Sequence, residues 1–87
     1  MKLLNTMREL ILYQFQACPF CEKVRNVLDN KHIKYEKVNV PRERNTPERL
    51  LLFNKSGVWT VPVLKIDEEY IGESQDIIDY LEEHFLK

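Results

Sequence analysis

The sequence has few cysteines, no long apolar run and no excess of positive charge. Its 87 residues include two cysteines and carry a net charge of −1. No apolar run approaches the ~20 residues that cross a membrane, and the N-terminal stretch is too short and polar for a signal peptide. A nucleic-acid-binding surface would need clustered positive charge. We therefore expect a monomer in the reducing cytoplasm, with no nucleic-acid or membrane partner.

The near-zero net charge conceals an uneven distribution along the chain. Residues 1–57 carry 11 basic and 6 acidic side chains, a net +5, whereas residues 58–87 carry 2 and 8, a net −6. This polarity would suit a zwitterionic ligand. Solvated charges on two amphipathic helices account for it equally well.

The length and apolar content are those of one small domain. With 44% apolar residues the chain can form one core, so we predict a single domain over residues 1–87, with residues 1–8 as a flexible N-terminal extension. A disulfide between cysteines separated by two residues closes too small a loop to stabilise the fold. Reactivity accounts for the two cysteines better than stability does.

The cysteines form the motif Cys18-Pro19-Phe20-Cys21, which follows the apolar run 10–15. That run predicts a strand buried on both faces, and a proline suits the first turn of a helix, so Cys18 is expected at or near an N-cap. Helix N–H groups of Phe20 and Cys21 would then point at the Cys18 sulfur and favour its thiolate. Cys21 lies within disulfide reach. We predict Cys18 as the nucleophile and Cys21 as the resolving thiol.

The cysteines and the charged residues near them also allow roles without redox chemistry. The cysteines could be small buried hydrophobes or half of a zinc site, but zinc would need two further ligands and only His32 and His84 offer imidazole, neither in a paired motif. We predict no metal site. Lys23 and Arg25 either raise the positive potential near Cys18 or form a solvated helix face.

Apolar periodicity and turn residues predict four strands and three helices, and so an α/β fold. The order is β-α-β-α-β-β-α, with a right-handed crossover between the first two strands. After the first strand we predict a helix over 19–30 and a strand over 33–40. A short helix follows, opened by the cap residues of Asn45-Thr46-Pro47-Glu48 and closed by Ser56-Gly57, then a hairpin over 61–71 and a last helix with Ser74 as its N-cap.

Three motifs in this order resemble the glutaredoxins. Cys18-Pro19-Phe20-Cys21 is close to the Cys-Pro-Tyr-Cys of that family, Thr60-Val61-Pro62 matches its Thr-Val-Pro, and Gly72-Glu73-Ser74-Gln75-Asp76 stands in the place of its Gly-Gly-x-x-Asp. The resemblance covers residues 9–85. It implies a thioredoxin-like fold, in which three helices flank a four-stranded mixed sheet, and glutathione or another small thiol as cosubstrate, with no permanently bound cofactor.

The resemblance also implies which residues hold glutathione. Pro62 would be cis and face Cys18, and the Val61 backbone would bind the peptide part of the ligand. Taken alone, Pro62 could simply begin a strand, and Tyr13 or Trp59 could be ordinary core. Arg42 and Arg44 are weaker candidates for the glycyl carboxylate. The glutathione contacts that we predict are Tyr13, Pro19, Phe20, Thr60, Val61, Pro62, Glu73 and Ser74.

The last motif also resembles the amino-terminal domain of glutathione transferases and the core of prostaglandin E synthase type 2. In those transferases a Glu-Ser or Gln-Ser pair holds the γ-glutamyl group, which would fall to Glu73 and Ser74. The residues themselves allow this, since helix N–H groups and a hydroxyl suit a carboxylate, and Glu73 with Asp76 suits an ammonium. Ser74 and Asp76 could instead only cap the helix.

The predicted function is a dithiol thiol–disulfide oxidoreductase. It would reduce disulfides of client proteins or glutathione mixed disulfides through Cys18 and Cys21. The first alternative is a glutathione transferase. The presence of two cysteines in one motif favours redox chemistry over conjugation of glutathione. An iron–sulfur module is less favoured, since related cluster proteins usually carry glycine in place of Pro19.

Overall fold

The computed structural model describes residues 9–85, so the expected extension over residues 1–8 lies outside the described residues. The order of elements is the predicted β-α-β-α-β-β-α. The strands are β1 (Leu10–Gln14), β2 (Glu36–Asn39), β3 (Val63–Ile66) and β4 (Glu69–Ile71), and the helices are α1 (Pro19–Asn30), α2 (Pro47–Ser56) and α3 (Ser74–His84).

The four strands form one mixed sheet in the order β2-β1-β3-β4. Strand β1 runs parallel to β2 and antiparallel to β3, with Tyr13 opposite both Val38 and Val63. Strands β3 and β4 form the predicted antiparallel hairpin. Strand β1 ends beside the residue at which β3 begins. The segment that leads to Cys18 and the segment that ends at Pro62 therefore lie at the same end of the strands, which we call the sheet edge.

One face of the sheet carries the core. Alternate side chains of β1 are buried on this face, since successive residues of a strand point to opposite sides. They pack with α1, α3 and β3 in a single apolar cluster of Leu10, Leu12, Val24, Leu28, Leu64, Ile66, Ile77 and Leu81. Full burial of each such side chain contributes about 1.5–3 kcal/mol. The other face of β1, with Ile11 and Tyr13, is half-buried, whereas the sequence predicted burial on both faces.

The predicted signals at the ends of the first two helices are confirmed. Helix α1 has the proline at its start and ends at Asn30. At α2 the Thr46 hydroxyl accepts a hydrogen bond from the Arg49 N–H at 3.4 Å, and Gly57 closes the helix in the left-handed region with φ of 77°.

The predicted starts of three elements are wrong. Strand β2 begins at Glu36 rather than at residue 33, because the Ile33 N–H is donated to the Leu28 carbonyl at 2.9 Å and so belongs to the end of α1. Strand β3 begins at Val63, after a proline that has no N–H for a sheet ladder. Glu73, not Ser74, is the N-cap of α3, because its carbonyl accepts the Ile77 N–H while its own backbone is non-helical.

Candidate active site

The cysteine motif has the geometry expected of a helix N-terminus. Cys18 is the N-cap of α1, with extended backbone angles, and its Sγ accepts a hydrogen bond from the Cys21 N–H at 3.3 Å. The Cys18 carbonyl accepts the Glu22 N–H at 3.0 Å. Both cysteines are free thiols. An N–H donor and the positive end of a helix dipole together stabilise a thiolate at Cys18.

The two thiols differ in their surroundings. Cys18 keeps 5% of its surface exposed, whereas Cys21 is fully buried. Burial, and secondly a hydrogen bond with the Cys18 side chain, raise the pKa of Cys21 to about 12. Cys21 is therefore a neutral thiol at physiological pH, and the helix N–H donor is directed at the other sulfur, that of Cys18.

The proline of the second motif lies at the same edge of the sheet. The peptide bond between Val61 and Pro62 is cis, as the resemblance implied. Pro62 is buried, and the next residue, Val63, pairs with Tyr13 near the end of β1. Thr60 and Val61 are half-buried and precede the first paired residue of β3.

The second and third motifs are held together by a close packing contact. A Cβ atom added at Gly72 would lie 2.7 Å from Cγ1 of Val58 and 2.9 Å from its Cγ2. This approach places the turn before α3 against the segment that leads to Pro62. Glu73 is exposed, and Ser74 is the half-buried first residue of α3.

The remaining predicted contacts lie on exposed or half-buried surface. Pro19 and Phe20 are exposed, and the Lys23 ammonium lies 5.8 Å from the centre of the Phe20 ring. Trp59 is also exposed, at 43%, and stacks on Phe53 with ring centres 3.9 Å apart.

Tyr13 lies on the half-buried sheet face, among side chains that belong to none of the three motifs. Burial raises its pKa, and Tyr70 and Glu36 raise it further, while Lys65 lowers it. The structure thus gives Tyr13 neighbours on β2, β3 and β4.

A buried polar network supports the start of α1, and sequence reasoning missed it. Gln14 is fully buried; its side-chain oxygen accepts a hydrogen bond from Arg25, and its Nε2 donates to Oδ1 of Asn39 at 2.6 Å. Arg25 also donates to the Gln16 carbonyl at 3.4 Å. The solvated alternative for Arg25 is therefore wrong, because its guanidinium is buried and fixes the segment just before Cys18.

A second buried arginine, Arg49 on α2, was also missed. It is 4% exposed and donates to three backbone carbonyls: Pro41 at 2.8 Å, Arg42 at 2.9 Å and Trp59 at 2.7 Å. Arg49 thus ties the segment after β2 to the segment before Pro62. Burial and then Arg44 lower its pKa, whereas Cys21 and Cys18 raise it.

The comparisons with known proteins agree with this geometry. Residues 12–86 match the family model described as glutathione S-transferase, N-terminal domain. The chain belongs to this family.

Its similar relatives include glutaredoxins as well as transferases. Glutaredoxin 1 of Rickettsia prowazekii is 27% identical over 86% of this chain and 79% of its own length. Glutaredoxin 3 of Escherichia coli K12 is 28% identical over 82% of this chain and 83% of its own length.

Two solved structures resemble this glutathione S-transferase N-terminal domain in fold. Glutathione transferase E6 of Drosophila melanogaster is 34% identical with a TM-score of 0.77, over 88% of this chain and 35% of that one. Glutaredoxin 2 of Salmonella typhimurium, in complex with glutathione, is 32% identical with a TM-score of 0.68, over 83% and 32%. The chain spans about a third of the length of both. The predicted thioredoxin-like fold is confirmed.

The described part of this family member has neither a membrane-spanning helix nor a cluster of metal ligands. Over residues 9–85, no helix is long and apolar enough to cross a membrane. In the same range, no three His, Cys, Asp or Glu side chains are grouped so as to hold a metal ion.

Sequence signals for the two missed arginines do exist. Arg25 is four residues after Cys21 and three before Leu28, and Arg49 is three residues before Leu52, so each occupies a position on the apolar face of its helix. A charged residue at an apolar position predicts a buried side chain with satisfied donors.

Proposed function

We propose that the protein is a glutathione-linked thiol–disulfide oxidoreductase with Cys18 as its nucleophile. The observation that carries the proposal is the Cys21 N–H directed at the Cys18 Sγ at the N-terminus of α1. This arrangement places an N–H donor and a helix N-terminus at one sulfur only, which is the setting of a nucleophilic cysteine. The glutaredoxin relatives, and the glutathione in the complex of the Salmonella protein, support glutathione as the cosubstrate.

The first step is attack on a disulfide. The Cys18 thiolate forms a bond with the glutathione sulfur of a mixed disulfide between glutathione and a client protein, and the client leaves as a thiolate that takes a proton from water. The product is a disulfide between Cys18 and glutathione. A second glutathione thiolate can then attack the glutathione sulfur, which gives glutathione disulfide and restores the Cys18 thiolate.

The second cysteine offers another way to resolve the intermediate. Cys21, once it loses its proton, attacks Cys18 and releases glutathione as a thiolate, leaving a disulfide between the two cysteines. Because burial raises the pKa of Cys21 to about 12, this thiol is rarely ionised near neutral pH. We therefore expect resolution by a second glutathione to dominate on glutathione mixed disulfides, with Cys21 serving mainly for client disulfides.

The ligand groove in this proposal follows the edge of the sheet. The backbone of Val61 precedes the paired part of β3, so it is available to bind the peptide part of glutathione. Glu73 and Ser74, at the start of α3, would bind the γ-glutamyl group. We also propose that the protein acts in the reducing cytoplasm. The proposed contacts are completed by Pro19, Phe20, Thr60, Pro62 and Tyr13.

The decisive experiment uses matched serine variants. Cys21→Ser, treated with glutathione disulfide, should carry one glutathione on Cys18 by mass spectrometry and keep most of its activity on glutathione mixed disulfides. Cys18→Ser should carry none and be inactive. If Cys18 is dispensable while replacement of Cys21 abolishes all reductase activity, the assignment of roles is reversed.

A second candidate function is transfer of glutathione to an electrophile, which the family match favours. In that reaction glutathione supplies the attacking sulfur, and Cys18 would only orient it. Turnover of an aromatic chloride, with no reduction of disulfides and no dependence on Cys18 as a nucleophile, would establish transfer in place of disulfide reduction.

A further inference from the structure

Arg49 is a buried cation that joins two segments of the chain beside the proposed groove. It lies on α2 and is 4% exposed. Its Nη1 donates to the carbonyls of Pro41 at 2.8 Å and Arg42 at 2.9 Å, just after β2, and its Nη2 donates to the carbonyl of Trp59 at 2.7 Å. One planar guanidinium therefore holds both segments at once, and its rigid fork of donors sets the spacing between them.

Helix α2 also holds Trp59 at a second point. The indole ring of Trp59 stacks on the ring of Phe53, with ring centres 3.9 Å apart and an angle of 17° between the planes. Arg49 and Phe53 are four residues apart, so they are neighbours along one face of α2. The guanidinium contacts the backbone of Trp59 and the phenyl ring contacts its side chain. Trp59 is therefore fixed relative to α2.

The residues that follow Trp59 lie outside the sheet. Pairing of β3 with β1 begins at Val63, so residues 60–62 precede the ladder. Pro62 has no N–H to donate. The position of the Val61 backbone therefore depends on how its two sides are held, by β3 after it and by the anchored Trp59 before it.

We propose that Arg49 is a positioning residue for the ligand groove, because it holds the Trp59 carbonyl so that the Val61 backbone is in place before glutathione binds. The inference rests on the proposed function and names the residue that fixes its groove. A segment held in advance loses little conformational entropy on binding, whereas a free segment has to be ordered by the ligand. Without Arg49, three backbone carbonyls lose this donor and the ligand binds more weakly.

The first test measures the binding of S-methylglutathione, which has no free thiol, by titration calorimetry. Arg49→Met should raise its Kd about tenfold, because all three hydrogen bonds are lost. Arg49→Lys keeps the charge but loses the fork, so its Kd should rise by at least about threefold. Leu81→Ala is the matched control. It empties a fully buried position on α3, so it lowers stability without removing an Arg49 hydrogen bond, and its Kd should stay within about twofold of wild type.

The second test separates positioning from a loss of folded protein. With a glutathionylated peptide as substrate, Arg49→Met should raise KM about tenfold and leave kcat within about twofold, because bound substrate and transition state lose the same support. A partly unfolded enzyme would instead show a lower kcat at unchanged KM. That second pattern would assign Arg49 a purely structural role and overturn the inference.

The binding data can also overturn the inference. Kd values equal to that of wild type in both Arg49 variants would do so, as would a wild-type Kd in Arg49→Lys, since charge alone would then suffice. An equal rise in Leu81→Ala would mean that any loss of stability weakens binding. Should Arg49→Met fail to fold, Arg49→Lys decides. Wild-type protein that binds no S-methylglutathione would refute the glutathione-linked function and the inference with it, whereas binding that is independent of Arg49 refutes the inference alone.

Discussion

The strongest quantitative prediction concerns the stability of the reduced protein at alkaline pH. Burial, followed by the hydrogen bond with Cys18, raises the pKa of Cys21 from 9.0 to about 12 in the folded chain. The folded state therefore holds this proton up to a higher pH than the unfolded state does. Between pH 9 and 12 the unfolded chain releases a proton that the folded chain keeps, so the free energy of unfolding must fall as pH rises.

The magnitude follows from the linkage between proton binding and stability. Each pH unit in this window lowers the free energy of unfolding by at most about 1.4 kcal/mol, so the loss due to Cys21 is about 2 kcal/mol by about pH 10.5. Below pH 9 the contribution is fully present and independent of pH. Tyr13 and Tyr35, whose pKa values burial also raises, add to the alkaline loss in every variant that retains them.

The assay is urea unfolding of the reduced protein at several pH values from about 7 to about 10.5, without oxygen. Cys21→Ala removes the titrating thiol and leaves a cavity whose cost does not change with pH. The difference between wild type and Cys21→Ala should be constant up to about pH 9 and shrink by about 2 kcal/mol at about pH 10.5. Cys18→Ala keeps the buried Cys21 thiol, so it should keep most of the decrease in the free energy of unfolding between pH 9 and about 10.5. Parallel curves for wild type and Cys21→Ala would refute the environment assigned to Cys21.

Three further predictions concern stability, each measured as a change in urea unfolding at neutral pH. Gly72→Ala should lose about 1–3 kcal/mol, because the new Cβ would overlap the Val58 methyl groups, which lie 2.7 and 2.9 Å away; an unchanged midpoint would mean that the two segments separate freely. Leu64→Ala empties a fully buried position of β3 and should cost about 2–5 kcal/mol, and a cost under about 1 kcal/mol would contradict its place in the core. Thr46→Ala removes the N-cap oxygen of α2 and should cost about 1 kcal/mol, whereas Thr46→Ser should cost much less; equal losses would show that the methyl group matters rather than the cap.

Local signals in the sequence predict the elements of this fold well, and long-range contacts account for the errors. The bounds of α1 and α2 follow from a proline at the first turn and a stop residue at the end, both of which act within a few residues. The predicted start of β2 is wrong because the alternating pattern continues back to Ile33, while the structure donates the Ile33 N–H to the Leu28 carbonyl. An alternating apolar pattern indicates which side chains face the core, but it does not indicate which carbonyl accepts each backbone N–H.

The same limit applies to the candidate site. The N-cap position of Cys18 could be predicted because its partner, the Cys21 N–H, is three residues away. The three acceptors of Arg49 lie eight, seven and ten residues away, in two different segments. The position of Arg49 on the apolar face of α2 indicates burial, but nothing local identifies the carbonyls that it binds.

The burial of Arg49 bears on how the groove keeps its shape. Its guanidinium joins the Pro41 and Arg42 carbonyls on one side to the Trp59 carbonyl on the other, and Gly72 packs against the segment that contains Trp59. The segment before Pro62 is therefore fixed from two directions, independently of any ligand.

The motif has a cysteine at each end, but its position on α1 gives the two sulfurs different surroundings. The first sulfur precedes the helix and receives an N–H bond, whereas the second faces the interior with Val24 and Leu28 one and two turns further along. Moving the helix start by one residue would rotate the second sulfur by about 100° and take it out of the core. The proposed division into nucleophile and resolving thiol thus depends on where the helix begins, and Pro19 suits its first turn.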